Sequence, residues 1–227
     1  MRFLRKTVNA MAHLREHGLV RTMRYARERF SESYHEWRLG ICTVGQLQPK
    51  EVGIDCVFAS EYYPADYRTI YNALGMLPIR AGVDGFLDFG CGMGRAVTVA
   101  ATFPFRTVLG VELSPLLADI ARANLERAKP RLRARETGII TADAKAFLIP
   151  ESINVIFFYS PFRGPVLTAA LDNIRISLAT SPRSLTVVFK NTEHFEPVRS
   201  KYPWLVKRRE FIASDANHKV MILEAQV

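Results

Sequence analysis

GFLDFGCGMGRAVTVAATFPFRTVLGVE, residues 85–112, is the stretch that decides the fold. It opens with the apolar run Phe86-Leu87-Asp88-Phe89, which reads as a short buried strand. Glycines follow at alternate positions, Gly90, Gly92 and Gly94. Residues 95–101, RAVTVAA, are mostly small and predict a helix packed tightly on a sheet. A second apolar strand over 108–111 then ends on an acid, Glu112. Strand, glycine turn, helix, strand and acid, in that order, form half of a doubly wound α/β fold of the kind that binds nucleotides.

Each part of that unit has a physical job. Glycines permit positive φ and let a ligand approach the backbone with no Cβ in the way. The helix start leaves N–H groups without helical partners, predicted to point at whatever occupies the turn. A carboxylate at the tip of the second strand can accept from both hydroxyls of a ribose. Glu112 follows Gly90 by about 20 residues, the offset expected of such an acid.

The spacing also discriminates among ribose ligands. A dinucleotide fingerprint, G-x-G-x-x-G, requires a glycine where this chain has Arg95. The third glycine stands at Gly94 instead, and Asp88 lies two residues before the first. This D-x-G-x-G-x-G form resembles the first motif of class I S-adenosylmethionine-dependent methyltransferases. The resemblance implies that Asp88 faces the ammonium end of the methionine moiety and that no pyrophosphate needs a cradle. It also implies cofactor contacts from Gly90, Cys91, Gly92 and Gly94, and from Glu112 with its neighbour Leu113.

Length and charge bound the rest. At 227 residues the chain suits one α/β domain with an N-terminal extension. Its hydrophobic content of 48% and charged content of 23% are ordinary for a globular protein. Apolar runs such as 153–159 are too short to span a bilayer. The opening residues, MRFLRKTVNAMAHLREH, are interrupted by charge and contain no signal-peptide core. Cys42, Cys56 and Cys91 are odd in number and widely spaced, forming neither a disulfide framework nor a zinc pattern. A cytoplasmic protein without a metal is expected.

Residues 1–38 hold nine Arg or Lys against four Glu, more than half of the net charge of +9. Residues 3–17 place Leu4, Val8, Met11 and Leu14 at helical spacing, and Gly18 breaks that helix. A second helix carries Met23, Phe30, Tyr34 and Trp37 on one stripe and Arg21, Arg24, Arg27 and Arg29 on the other face. Two readings stand: a basic amphipathic arm for an anionic membrane or nucleic acid, or a lid that packs its stripe on the domain. Glu16, Glu28, Glu32 and Glu36 interrupt the positive field and favour the lid. His13 and His17 share a face, but no third ligand accompanies them.

Residues 40–60 are poorly periodic and read as a linker with short elements. Tyr62, Tyr63 and Tyr67 then flank Pro64, just before a helix predicted over 69–77. They are either plain packing or, as the methyltransferase resemblance implies, a segment folded over the cofactor. On the latter reading Tyr62 touches cofactor and Tyr67 reaches the reacting centre.

After Glu112, Ser114 and Pro115 are the N-cap and first residue of a helix running to about residue 128. The basic segment 129–135 joins that helix to the next strand, at the amino edge of the sheet and away from the ligand edge. A third strand over 138–144 carries Asp143 near its end. Asp143 is a helix cap or, by the resemblance, the acceptor of the adenine amino group beside Ala144.

A fourth strand over 153–159 ends in Tyr159, a further cofactor-contact candidate, and runs into Ser160-Pro161-Phe162. That tripeptide resembles the fourth motif of methyltransferases that act on nitrogen. A side-chain oxygen and a carbonyl beside proline can accept N–H hydrogens and aim the nitrogen at the methyl group. An aromatic face then holds a flat or cationic substrate. The chain departs from the pattern in two ways: Ser160 replaces the usual amide or acid, and there is one proline rather than two. A helix over 165–179, a strand over 184–190 and a strand pair over 208–213 and 219–225 complete the chain.

The resemblance covers about residues 60–227. It implies a mostly parallel, doubly wound, seven-stranded sheet with a C-terminal antiparallel pair, preceded by a helical extension over 1–59. Some features are similar to seven-stranded histone-lysine methyltransferases. More are similar to small bacterial methyltransferases with Asn-Pro-Phe at the fourth motif. The implied activity is transfer of a methyl group from S-adenosylmethionine to an acceptor, with an amine of a small molecule or protein favoured. A catalytically silent cofactor-binding module, a nucleic-acid methyltransferase and a nucleotide-dependent oxidoreductase stand as alternatives, the last opposed by Arg95.

Overall fold

The computed structural model describes residues 18, 23, 26–215 and 218–226. The helix expected over 3–17, with His13 and His17, lies outside them. The chain divides into two units, Met1–Arg38 and Leu39–Val227. The division falls earlier than the expected 59/60 boundary, so residues 39–59 go with the larger unit. In the first unit, residues 26–38 lie in a helix (α1, residues 26–39), along which Phe30 and Trp37 are each 76% exposed.

The larger unit is organised by seven strands. These are β1 (Gly85–Phe89), β2 (Thr107–Glu112), β3 (Glu136–Thr141), β4 (Ile153–Tyr159), β5 (Thr186–Lys190), β6 (Leu205–Ile212) and β7 (Lys219–Ala225). They form one sheet in the order β3-β2-β1-β4-β5-β7-β6. Pairing is parallel from β3 across to β5 and antiparallel for β7 with both β5 and β6. The chain runs outward from β1 to β3, then returns to lay β4 on the other side of β1. That reversal opens a crevice at the carboxyl ends of β1 and β4, where ligands of such sheets bind. The expected fold is the observed one.

The central strands are apolar throughout because both faces of the sheet are covered. Phe86, Val155, Phe157 and Val188 face one core with helices α2 (Tyr67–Gly75), α3 (Arg95–Ala101) and α4 (Pro115–Ala128). Leu87, Phe89, Ile156, Phe158 and Phe189 face the other, against α5 (Gly164–Thr180). On that second face an aromatic ladder crosses the sheet. Phe89 stacks on Phe158 at 5.2 Å, Phe158 on Phe189 at 4.9 Å, and Phe189 on Phe195 at 4.3 Å. Each buried ring of this kind contributes about 1.5–3 kcal/mol, so the ladder anchors the strand ends that shape the crevice.

Local signals set the helix starts. Ser114 Oγ accepts from Leu117 N–H at 3.3 Å with Pro115 in the first turn, as its sequence predicts. Asp66 caps α2 through Thr69 N–H at 2.8 Å, so that helix begins at Tyr67 rather than 69. β3 ends at Thr141, short of the expected 144, because Asp143 Oδ1 accepts from Lys145 N–H at 2.9 Å and closes a turn. Residues 144–146 are that turn and not a helix.

Candidate active site

A cleft of about 380 Å³ opens at the carboxyl ends of β1, β2 and β4. Its floor is the glycine turn between β1 and α3. The turn's own amides are spent inside the protein: Gly90 and Cys91 N–H donate to Val111 carbonyl at 2.8 and 3.0 Å, and Gly94 N–H to Cys91 carbonyl at 2.8 Å. Gly92 N–H donates to Glu112 Oε2 at 2.8 Å. These four turn amides are committed inside the protein and are not offered to a ligand.

The floor presents carboxylates instead. Glu112, 5% exposed, has its second oxygen accepting from Ser114 N–H at 2.9 Å. These amides, with Leu113 N–H as a further backbone donor, fix the orientation of the carboxylate at the cleft floor. Asp88, 4% exposed, lines the same cleft. Burial and the nearby Glu112 push the Asp88 carboxyl well above its ordinary range, and burial raises Glu112 despite its backbone donors. The same burial, with Asp88 and Glu112 adding to it, holds the Cys91 thiol protonated.

Glycine is required twice in this floor. Gly92 has φ +54°, and a Cβ there would run into the ring of Tyr62. Gly90 has φ +70°, and a Cβ would strike Pro161. Tyr62 therefore lies against the turn, and its hydroxyl donates to Thr43 carbonyl at 2.7 Å. Gly94 sits outside the cleft lining, pressed instead towards Ala121 of α4.

One wall is a strap over residues 40–66, which joins the expected linker, 40–60, to the tyrosine segment that follows it. Leu47 and Tyr62 bridge its two arms, and Ala59 bridges Phe162. Ser60 N–H donates to Pro161 carbonyl at 3.1 Å and Arg163 N–H to Phe58 carbonyl at 3.0 Å. At the other end, Ser114 Oγ donates to Val52 carbonyl at 2.5 Å. Arg95, at the start of α3, ties the strap to the floor. Its Nε donates to Thr43 Oγ1 at 2.7 Å, Nη1 to Ala65 carbonyl at 2.9 Å, and its guanidinium lies 4.4 Å from the centre of the Tyr67 ring.

The opposite wall comes from the end of β4. Tyr159, Pro161 and Phe162 line the cleft, whereas Ser160 does not. Ser160 has φ +41°, and its hydroxyl donates to Asn191 carbonyl at 3.3 Å. Its neighbour at the end of β5, Asn191, also has positive φ, +62°. Such conformations are costly for residues with a Cβ and cluster where a site demands them. Phe162 is braced from behind, edge-on to Phe158 at 6.1 Å and Phe89 at 6.4 Å.

Behind Tyr159 lies a buried ion cluster that spacing alone did not reveal. Lys190 Nζ sits 3.9 Å from the centre of the Tyr159 ring, 2.8 Å from Asp215 and 3.2 Å from Asp66. Burial opposes the Lys190 charge, but Tyr159 and the two carboxylates outweigh it and hold its pKa above the ordinary value. His218 Nδ1 lies 2.9 Å from Asp215 Oδ2. The antiparallel β7 brings this β6–β7 turn to the ligand edge, a consequence of strand order that no single motif announces.

Of the residues singled out in the sequence, the cleft gathers Tyr62, Asp88, Gly90, Cys91, Gly92, Glu112, Leu113, Asp143, Ala144, Tyr159, Pro161 and Phe162. It leaves out Gly94, Ser160 and Tyr67, the last of which is fully buried beneath Arg95. Asp143 divides its oxygens between the Lys145 amide and, at 3.3 Å, the Lys145 ammonium. Among the described residues, no His, Cys, Asp and Glu cluster could hold a metal ion, and no helix is long and apolar enough to cross a membrane.

Comparison with known proteins agrees with this geometry. Residues 86–180, which carry every motif from the glycine turn to α5, match the family described as "Methyltransferase domain". No curated protein matches the chain. Among solved structures, an RNA methyltransferase from Salinibacter ruber in complex with S-adenosyl-L-homocysteine is 20% identical, with a TM-score of 0.54 over 72% of this chain and 94% of that one. A TehB-like S-adenosylmethionine-dependent methyltransferase from Corynebacterium glutamicum is also 20% identical, with a TM-score of 0.51 over 87% and 99%. Geranyl diphosphate C-methyltransferase from Streptomyces coelicolor is 14% identical, with a TM-score of 0.52 over 71% and 78%. At these identities the likeness is one of fold, and the family match rests on the segment that builds the floor. Residues 86–180 thus carry a methyltransferase domain, and the seven-stranded sheet around them has the fold of S-adenosylmethionine-dependent methyltransferases.

Proposed function

We propose that the chain methylates a nitrogen, on a small molecule or a protein side chain, with S-adenosylmethionine as donor. The observation that carries the cofactor's placement is the pair Asp88 and Glu112, two buried carboxylates beside a turn whose Gly90, Cys91, Gly92 and Gly94 amides are already bonded. A ligand with hydroxyls and positive charge satisfies that floor, and a pyrophosphate does not. Glu112 takes the ribose hydroxyls, Asp88 the methionine ammonium, and Asp143 with Ala144 and Leu113 flank the adenine. Bound there, the cofactor supplies an electrophilic methyl group on a sulfonium.

The chain's own residues then have to orient a lone pair and exclude water. Pro161 and Phe162 are the parts of the fourth motif that reach the cleft. Because the Ser160 hydroxyl is turned to Asn191, the nitrogen is oriented by backbone and aromatic surface rather than by that side chain. Tyr63 and Tyr159 line the same space. Burial raises the Tyr159 phenol pKa, so it acts as a neutral hydrogen-bonding group. The strap covers the remaining side.

Calorimetric titration with S-adenosylmethionine, S-adenosylhomocysteine and NAD tests the reading. Micromolar binding of both sulfur ligands and none of NAD is expected. Absence of binding by either sulfur ligand removes it.

A further inference from the structure

The whole chain carries a net charge of +9, yet its cleft is acidic. Five carboxylates line it: Asp55, Glu61, Asp88, Glu112 and Asp143. Only two cationic side chains join them, Arg95 and Lys145. Arg95 is 4% exposed and committed to Thr43, Ala65 and the Tyr67 ring, while Lys145 pairs with Asp143. The nearest buried ammonium, Lys190, is outnumbered by Asp66 and Asp215. Glu61, on the strap, is held by the neutral amides of Gln46 and Gln48, which fix its position without cancelling its charge. Asp55 stands exposed at the mouth.

We infer that this negative cleft selects a positively charged acceptor, an aliphatic amine arriving as its ammonium, and turns away phosphate-bearing acceptors. The inference rests on the methyl-transfer reading and deepens it. A cleft with low-dielectric walls focuses the field of its own charges, so the local sign governs encounter even when the net charge is opposite. The ammonium and sulfonium of the cofactor outweigh its own carboxylate by a single charge, which leaves the carboxylates of the mouth uncompensated, and aromatic walls at Tyr63 and Phe162 suit an alkylammonium. The chemistry balances. The ammonium gives one proton to solvent, and its nitrogen forms the N–C bond. The C–S electron pair returns to sulfur, giving a thioether and a methylated ammonium.

Cys56 lines the cleft and reports its potential without any need to know the acceptor. In a Cys42→Ser background, with the Cys91 thiol buried and protonated, Cys56 is the reactive thiol. Its rates with two methanethiosulfonates of similar size, one bearing trimethylammonium and one sulfonate, are each divided by the rate on free cysteine. The thiolate fraction cancels in the ratio. A cationic preference of about tenfold is expected, falling several-fold in Asp55→Asn with Glu61→Gln. The exposed Cys42, measured in a Cys56→Ser background, should show a smaller preference. A ratio of one or less at Cys56, or one unmoved by the two neutral substitutions, overturns the inference. So does protection of Cys56 by a short single-stranded RNA at low salt. Protection by S-adenosylhomocysteine is read separately: its failure counts against the cofactor site, whatever the sign of the potential.

Discussion

At the scale of single residues, Glu112 does two things at once. It holds the glycine turn through Gly92 N–H and the start of α4 through Ser114 N–H, and on the reading proposed above it accepts from the ribose. Glu112→Gln replaces one acceptor oxygen by a donor, so one of the two amides must lose its partner. Calorimetry should show S-adenosylmethionine affinity reduced at least tenfold, a loss of about 1.4 kcal/mol or more, with the far-ultraviolet circular dichroism retained. Unchanged affinity would remove Glu112 from the cofactor site. Ser160 gives the opposite expectation. Its hydroxyl serves Asn191 and its backbone is left-handed. Ser160→Gly should therefore bind cofactor normally and change stability by less than about 1 kcal/mol, since glycine accepts that φ freely. A large loss of cofactor affinity in that variant would place the hydroxyl in the cleft after all.

At the scale of elements, the strap is where structure adds most to sequence. The strands announce themselves as apolar runs and the helices as caps followed by periodic residues; β4, β7, α3 and α4 fall where those signals put them. Asp88, the glycines and Glu112 are legible because they are close in sequence and each has a backbone reason. Residues 40–66 have no period to read, since their order comes from contacts with distant segments such as Pro161, Phe162 and Ser114. Arg95 is visible in the sequence only as a glycine that is missing; that it ties strap to floor follows from which carbonyls the fold brings near it. Lys190, Asp66, Asp215 and His218 are similarly scattered and meet only because β7 runs antiparallel. The strap's seat on the turn is testable with Gly92→Ala. The added methyl meets the Tyr62 ring, so cofactor affinity should fall at least tenfold. Tyr62→Ala in the same chain should restore part of it if the clash dominates, and none if the φ of +54° is the whole cost.

At the scale of the molecule, the acidic floor ties ligand binding to folding through pH. Asp88 has a raised pKa in the ligand-free fold because burial, and then Glu112, disfavour its charge. The folded state thus binds more protons than the unfolded chain between the ordinary carboxylate pKa and the raised one. Stability from this group is present at low pH and is lost as pH rises through the folded pKa, at about 1.4 kcal/mol for each unit of elevation. A cationic ligand works the other way, because it favours the carboxylate. Thermal melts from pH 5 to pH 8 should therefore show Asp88→Asn gaining on the wild type as pH rises when no ligand is present. The same variant should lose most of the stabilisation that S-adenosylmethionine gives the wild type at pH 8. Wild-type affinity should increase over this range, with protons released on binding and detected as a dependence of the calorimetric heat on the buffer's ionisation enthalpy. Parallel melting curves for the two proteins, with no buffer dependence, would mean that Asp88 is charged before the ligand arrives and that some other group already compensates it.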